Sequence, residues 1–254
     1  MSLETDVATL VTKTTQLIDY FGGKKTAIDL AVAAAIAAVP DTSRTWYVDQ
    51  INGSDLNPGT QAAPLKTFER AISSTPKSGF CLAMLLGDYD LKTVPFVGCS
   101  TLRVTGVLNN GVKPKIKAFY LPTVDGSGVT TANNMSGFNL ALNNNAISFR
   151  DIELVLPSIA GVNPTPNNTR AGAFIRTLAG SDLPASLNVI FENVAVTKAS
   201  DWFGVLIGVT GSCLVFACNA STFPSDFAGR YVNNITAGTL TKDLGNVICN
   251  LPSL

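Results

Sequence analysis

The chain has 254 residues, of which 46% are hydrophobic and 14% charged, and its 18 basic side chains cancel its 18 acidic ones. That length accommodates one large domain plus an accessory segment, while a neutral chain without any run of Lys or Arg lacks the basic patch that a nucleic-acid binder needs to release counterions. With no histidine in the sequence, the common zinc constellations are excluded as well, and no metal or cofactor is expected.

Residues 1–42 read as helical. Val7, Leu10, Thr14, Leu17 and Phe21 follow a three-then-four spacing, Gly22-Gly23 breaks it, and Ile28, Val32, Ile36 and Val39 resume it in a second helix that Pro40 and Asp41 end. Helices shorter than about 12–15 residues are marginal in water by themselves, so both need a partner. One solution is a hairpin against the rest of the chain. The patterning favours the other, association with copies of the same segment through Val7, Leu10, Leu17, Phe21, Ile28, Val32 and Ile36, with Ala31, Ala34, Ala35 and Ala38 permitting close approach. Lys24-Lys25 and the apolar run after it lie too far from the amino terminus for a signal peptide. Leu30–Val39 is too short to span a bilayer, so no membrane insertion is expected.

Residues 46–72 read as strand, long turn and short helix near 64–74. An aromatic run, Trp46-Tyr47-Val48, leads into a loop rich in Asn, Gly, Ser, Asp and Pro. Pro64 suits the first turn of a helix, and Leu65, Phe68 and Ile72 share one face that would close the open end of a stacked sheet. Strands follow at Leu82–Leu86, Leu102–Leu108 and Lys115–Leu121.

Farther on, Ser148-Phe149-Arg150-Asp151-Ile152, Ile190-Phe191-Glu192-Asn193-Val194, Val215-Phe216-Ala217-Cys218-Asn219 and Val247-Ile248-Cys249-Asn250-Leu251 share one design, with Phe149, Phe191, Phe216 and Ile248 spaced by 42, 25 and 32 residues. Such self-similarity marks stacked coils. Alternation would stack Phe149, Phe191 and Phe216 along the core and place Asn193 and Asn250 in an amide ladder at a turn. About 205 residues after the leader would make about seven or eight coils of ~25 residues. Pro157–Arg170 and Thr177–Pro184, rich in Pro, Asn, Gly and Ser, are excursions from the stack where a ligand or a neighbouring chain would be touched. Cys81, Cys99, Cys213, Cys218 and Cys249 lie beside apolar residues and read as reduced core thiols, which implies folding in a cytoplasm.

Two family resemblances arise from these stretches. Asn52-Gly53-Ser54-Asp55-Leu56-Asn57-Pro58-Gly59-Thr60 leading to Pro64-Leu65-Lys66-Thr67, with Leu82-Ala83-Met84-Leu85-Leu86-Gly87-Asp88-Tyr89 after it, resembles the entry segment and first coil of the pectate-lyase-like right-handed β-helix superfamily. The helical segment Leu17–Pro40 is similar to the amino-terminal region of tailed-bacteriophage tail spike and tail fibre proteins. The resemblances imply a mainly β chain, a right-handed parallel β-helix over 43–254 behind a helical segment at 1–42 for trimerisation and virion attachment. They imply a homotrimer in the phage tail, in contact with other tail or baseplate proteins and with host-surface polysaccharide.

Chemistry is harder to read. A hydrolase on this fold needs two converging carboxylates; Asp125, Asp151, Glu153, Asp182, Glu192, Asp201 and Asp226 are available, and Asp151 with Glu153 would alternate onto one face of a strand. Solvated outward-facing acids are the simpler reading of that pair. Asp201-Trp202 could bind a sugar, the ring stacking and the acid taking hydroxyls, although strand aromatics are more often core. Asp49, Asn52, Asp55 and Asn57 are clustered as calcium ligands would be, yet loop Asx residues more often cap their own turns. The sequence therefore points to a non-enzymatic structural virion protein, a short tail spike or fibre used for attachment or as an adaptor. A polysaccharide hydrolase or lyase of tail spike type, and a head fibre, are the alternatives.

Overall fold

The computed structural model describes residues 2–38, 42–140, 146–177 and 186–254, with residues 33–38 described by backbone alone. The chain divides into two compact units, Met1–Asp41 and Thr42–Leu254.

The first unit is a single helix, α1 (Leu3–Ala38), of 36 residues, ~54 Å long at 1.5 Å per residue. The expected break at Gly22-Gly23 does not occur. A glycine in a helix costs only about 1 kcal/mol relative to alanine and keeps its backbone hydrogen bonds, and the Thr26 hydroxyl donates to the Gly22 carbonyl at 3.0 Å across the pair. Continuity has a consequence for the apolar stripe: Val7, Thr14, Phe21 and Ile28 now fall at seven-residue intervals, with Leu3, Leu10, Leu17 and Lys24 between them. Val7, Leu10, Leu17, Phe21, Ile28 and Val32 are all more than half exposed. The side chain of Ile36, and Val39, Pro40 and Asp41, lie outside the described residues.

The second unit is mainly β, with parallel sheets. In chain order it contains β1 (Ser43–Val48), α2 (Phe68–Ser73), β2 (Phe80–Leu85), β3 (Tyr89–Leu91), β4 (Phe96–Val97), β5 (Thr101–Gly106), β6 (Lys115–Ala118), β7 (Tyr120–Val124), β8 (Thr130–Met135), β9 (Phe138–Leu140), β10 (Ala146–Arg150), β11 (Glu153–Leu156), β12 (Ile175–Thr177), β13 (Ser186–Glu192), β14 (Ala195–Lys198), β15 (Ile207–Gly208), β16 (Cys213–Asn219) and β17 (Val247–Cys249). A seven-stranded sheet runs β1-β2-β5-β10-β13-β16-β17, a second runs β14-β11-β6-β3 and a third β15-β12-β9-β4, every neighbouring pair being parallel. From β2 to β16 the chain visits these sheets in one fixed rotation, so that each circuit lays one strand on each.

Side-chain parity explains why the sequence folds this way. Across the long sheet Cys81, Leu102, Ile147, Val189, Phe216 and Cys249 stand in one row, and Ala83, Val104, Phe149, Phe191 and Cys218 in the next inward row, two residues along each strand. The rings meet edge to face: Phe68–Phe138 at 5.8 Å, Phe138–Phe149 at 5.5 Å, Phe149–Phe191 at 5.4 Å and Phe191–Phe216 at 5.9 Å between centroids. Phe149, Phe191 and Phe216 thus share the core, as expected.

Their register differs from the repeat pattern. Phe191 is paired with Cys218, and Phe216 with Val189 and Cys249. A two-residue slip preserves which face a side chain occupies, whereas a one-residue slip reverses it; Ile248, aligned with Phe216 by pattern, accordingly points outward and is 71% exposed. The count of coils is also smaller than expected in two of the three sheets, because in the final circuit they receive only isolated bridges, Ala195 with Thr222 and Ile207 with Val232.

At the entry, Pro64 does not open the helix. The Leu65 N–H donates to Tyr47 O and its carbonyl accepts from Asp49 N, at 2.8 and 2.9 Å, holding this residue extended beside β1. Thr67 caps α2 instead, its hydroxyl accepting from Arg70 N at 3.2 Å. Leu65, Phe68 and Ile72 are buried as expected. Gly59, at φ +76°, sits where a Cβ would come within 2.4 Å of the Trp46 ring.

The antiparallel hairpin β7–β8 was not expected; it turns at Asp125, whose Oδ1 accepts from the N–H groups of Ser127 and Val129. Pro157–Arg170 contains no strand, and residues 178–185 of the second expected excursion lie outside the described residues. Among the cysteines, Cys81 and Cys99 are buried, but Cys213 is exposed and Cys218 and Cys249 are half-buried; Cys213 opens β16 with its side chain on the outward parity. Among the described residues no helix is long and apolar enough to cross a membrane.

Phe149→Ala should remove about 3–5 kcal/mol of stability, the usual cost of deleting a fully enclosed ring, whereas Ile248→Ala should stay within about 0.5 kcal/mol. Urea unfolding of the two variants followed by circular dichroism checks both.

Candidate functional site

The acids do not form the pair that strand alternation would give. Asp151 is not in a strand: it occupies the corner between β10 and β11 at φ +54°, while Glu153 opens β11 on the second sheet. The corner is a left-handed position repeated in successive circuits, by Asn193 at φ +55° and Ala220 at φ +48°, and Asp and Asn tolerate it best among residues with a side chain. Each acid is also held. Asn193 Nδ2 donates to Asp151 Oδ1 at 2.6 Å, and Arg150 Nε stands 3.3 Å from Asp151 Oδ2. Lys115 Nζ lies 3.2 Å from Glu153 Oε2.

The remaining acids are similarly engaged. Glu192 faces Arg150 at 3.7 Å, and Asp226 accepts from Lys198 at 2.7 Å, a bond that lowers its pKa below the ordinary carboxylate value. Asp125 holds its own turn, and Asp182 lies outside the described residues. Asn193 and Asn250 do not share one ladder: Asn193 sits in the corner column, where its Oδ1 accepts from Lys113 at 2.8 Å, whereas the Asn250 amide bonds the N–H and carbonyl of Cys218 at 2.8 Å each and extends the long sheet.

Asp201 and Trp202 do not form a sugar platform. Trp202 is 3% exposed, stacks on Phe227 with centroids 5.7 Å apart and donates Nε1–H to Met135 Sδ at 3.3 Å. It is a core residue because its strand-end turn folds the ring inward under Arg230. Asp201 remains outside and accepts from the Ser158 hydroxyl at 2.7 Å. In the entry loop, Asp49 Oδ1 accepts from Ile51 N and Asn52 N, Asp55 accepts from Lys66 N, Thr67 N and the Thr67 hydroxyl, and Asn57 donates to Pro64 O. These side chains fix the backbone. Among the described residues no group of three or more acids or thiols is arranged to hold a metal ion.

The concavity suited to a ligand lies elsewhere, where the excursion before β12 meets the last circuit. It has a volume of ≈ 530 Å³; Val209, Val232, Ile235, Leu244 and Val247 supply apolar surface, and Asn168, Thr169, Arg170, Thr210, Asn233, Asn234 and Asn246 its polar groups. Two of the amides are structural. Asn168 Oδ1 accepts from Arg170 N and Ala171 N at 3.1 Å, and the Asn233 side chain bonds both the N–H and the carbonyl of Val209, at 2.7 and 3.1 Å. Thr169, Thr210, Asn234 and Asn246 are exposed. Among the described residues, no Asp or Glu lines the groove.

Two guanidinium groups stand beside it. Phe138, Ile175 and Ile207 form a buried row of the third sheet, and the neighbouring row, of opposite parity, is Asn139, Arg176 and Gly208. Arg176 is 9% exposed beneath the excursion, donating to Asn139 Oδ1, Met135 O, Ala171 O and Ala173 O at 2.7–3.2 Å. Burial, and then the charge of Arg170, lower its pKa to about 10. Arg170 passes Gly208, where a Cβ would lie 3.1 Å from its Cγ, and donates Nη1–H to Thr177 O at 3.0 Å.

The described lining residues can bind hydroxyls and weakly hydrated anions. The excursion that the sequence marks as a departure from the stack supplies one wall of this concavity. Its opposite wall, Asn233-Asn234 and Asn246, is more than sixty residues away along the chain, and only the paired asparagines beside β-branched residues hinted at it.

No protein-family profile matches the chain, and no curated protein matches it. Among solved structures it is similar to the crystal structure of a GH136 lacto-N-biosidase from Eubacterium ramulus, with 15% sequence identity and a TM-score of 0.37 over 74% of this chain. The matched region spans 39% of that enzyme's chain.

Trp202→Ala should cost about 3–5 kcal/mol as a core truncation, while Asp201→Asn should change stability by no more than about 0.5 kcal/mol. Thermal unfolding of the two variants distinguishes this burial from the exposed sugar platform.

Proposed function

We propose that the chain is a structural protein of a phage particle, a short homotrimeric tail spike or fibre that attaches to host-surface glycan without cleaving it. Its second unit is read as a right-handed parallel β-helix of pectate-lyase-like type. The fixed rotation of the chain among three parallel sheets supports that reading, and crossovers between parallel strands of one sheet are right-handed in about 98% of cases.

The observation that carries the functional reading is the lining of the groove. Amides, hydroxyls and one arginine converge there, and no carboxylate is among the described lining residues. A sugar offers hydroxyls that such groups recognise, whereas glycoside hydrolysis needs an acid and a second carboxylate on opposite sides of the bond. A depolymerase built on Asp151 and Glu153 is disfavoured by their engagement with Asn193, Arg150 and Lys115.

The trimer rests on α1. A continuous helix with Val7, Leu10, Leu17, Phe21 and Ile28 exposed on one seven-residue repeat, Thr14 and Lys24 being its polar members, presents a coiled-coil seam. Copies of the same helix bury that seam, and the resemblance of residues 17–40 to phage spikes supplies the address on the virion.

Light scattering of the full chain at several concentrations should give the mass of three chains, and deletion of residues 1–41 should reduce it to one. A full chain that remains monomeric overturns the trimer. Release of reducing ends or unsaturated sugars from host-envelope polysaccharide by wild type, lost in Asp151→Asn or Glu153→Gln, would overturn the non-catalytic reading.

A further inference from the structure

We propose that the groove formed by the excursion before β12 and the last circuit is built for an acidic saccharide, one carrying a carboxylate such as a uronic acid, with Arg170 as the residue that reads the charge. The inference rests on the attachment reading above and narrows its ligand.

Charge balance is the starting point. Lys115 pairs with Glu153, Lys117 with Asp88 and Lys198 with Asp226, whereas Arg103, Lys113 and Arg230 bond neutral oxygens; among the described residues lining the groove, Arg170 is the one charged side chain. Arg170 and Arg176 are neighbours, and among the described residues neither has a carboxylate partner. Every acceptor of Arg176 is neutral, an amide oxygen or a backbone carbonyl. The Arg170 guanidinium therefore stands in a concave surface, where the field of fixed charges is focused, and the buried Arg176 lies close enough to feel its charge.

The two arginines divide the work. Arg176 serves the framework through Nε and Nη1, which tie β9, the end of β8 and the excursion together. Among the described residues Arg170 spends one of its five N–H donors on a protein acceptor, Thr177 O, and it belongs to the groove wall. Gly208 leaves room for its stem to pass across the third sheet.

The rest of the wall fits the remainder of such a ligand. Thr169, Thr210, Asn234 and Asn246 offer hydroxyl and amide groups, which act as both donors and acceptors, and the apolar floor of Val232 and Val247 suits the C–H face of a pyranose ring. Asp243, the acid nearest in sequence to the groove wall, is turned to Lys242 at 2.7 Å, so it does not repel an entering anion. The ligand carboxylate supplies a counter-charge that the described wall lacks.

The test is a printed panel of uronate-containing and neutral oligosaccharides probed with the full-length chain at low and high salt, followed by calorimetry on the captured sugars. Capture of uronate-containing members, weakened by salt, is expected. A charge-assisted hydrogen bond of about 1.5–3 kcal/mol corresponds to a loss of roughly 10- to 100-fold in affinity for Arg170→Gln, with Arg170→Lys retaining part of it. Because Arg170→Gln also removes the bond to Thr177, Asn246→Asp is the second variant: it places a negative charge on an exposed position of the wall without touching a framework bond, and should weaken uronate binding about as much while leaving the melting temperature unchanged. Uronate binding indifferent to both variants overturns the assignment. Capture of neutral members alone, lost in Asn234→Ala, also overturns it but leaves glycan attachment standing; capture of no saccharide of either kind overturns both and leaves the adaptor role.

Discussion

The second unit depends on one geometric constraint: strands of successive circuits lie ~4.8 Å apart in register, so each inward side chain rests on the one before it. An interior row is then a column in which every member must accept its neighbour's shape. The aromatic contacts from Phe68 of α2 through Phe138, Phe149 and Phe191 to Phe216 show how it is met. Rings at slightly different positions on successive circuits interlock edge to face, and smaller residues, Ala83 and Cys81 near the start and Cys218 and Cys249 near the finish, taper the column at its ends.

The same constraint explains what the sequence disclosed. Inward parity is written into alternation, so the burial of Leu65, Phe68, Phe149, Phe191 and Phe216 was legible from pattern alone. Register was not. Val189 and Phe191 are both inward and both bulky enough to sit against Phe216, and the choice between them depends on how many residues the intervening turns consume, which alternation does not encode. Asp151 shows a related failure: Ser148-Phe149-Arg150-Asp151-Ile152-Glu153 reads as one continuous strand, whereas a left-handed residue at position 151 divides it between two sheets. The helix was misread for the opposite reason, since two adjacent glycines signal a break by propensity but only lower the stability of a helix that the flanking residues otherwise favour.

The candidate site was half legible. A Pro-, Asn- and Gly-rich excursion marks itself as a departure from the stack, and the stretch ending at Arg170 forms one wall of the groove. The other wall comes from a circuit in which regular strands have given way to turns, and nothing local identifies Asn234 or Asn246 as facing Arg170. Trp202, the most conspicuous binding residue by type, was misleading because type says nothing of the covering layer: Phe227, Met135 and Arg230 enclose it.

That last circuit differs from the ones before it. Between β16 and β17 the second and third sheets are joined to it through single bridges at Thr222 and Val232, and β17 itself is three residues long. Where the strands give out, single residues take over the pairing: Val196 N bonds Thr222 O, Leu206 N bonds Arg230 O, Ile207 N bonds Tyr231 O and Asn233 N bonds Ile207 O. The groove wall carried by Val232–Val247 is therefore held to β15 by backbone bonds and by the Asn233 amide on Val209. A ligand seated there would join that wall to the excursion tied down by Arg176, so that its binding energy adds to the stability of the folded chain.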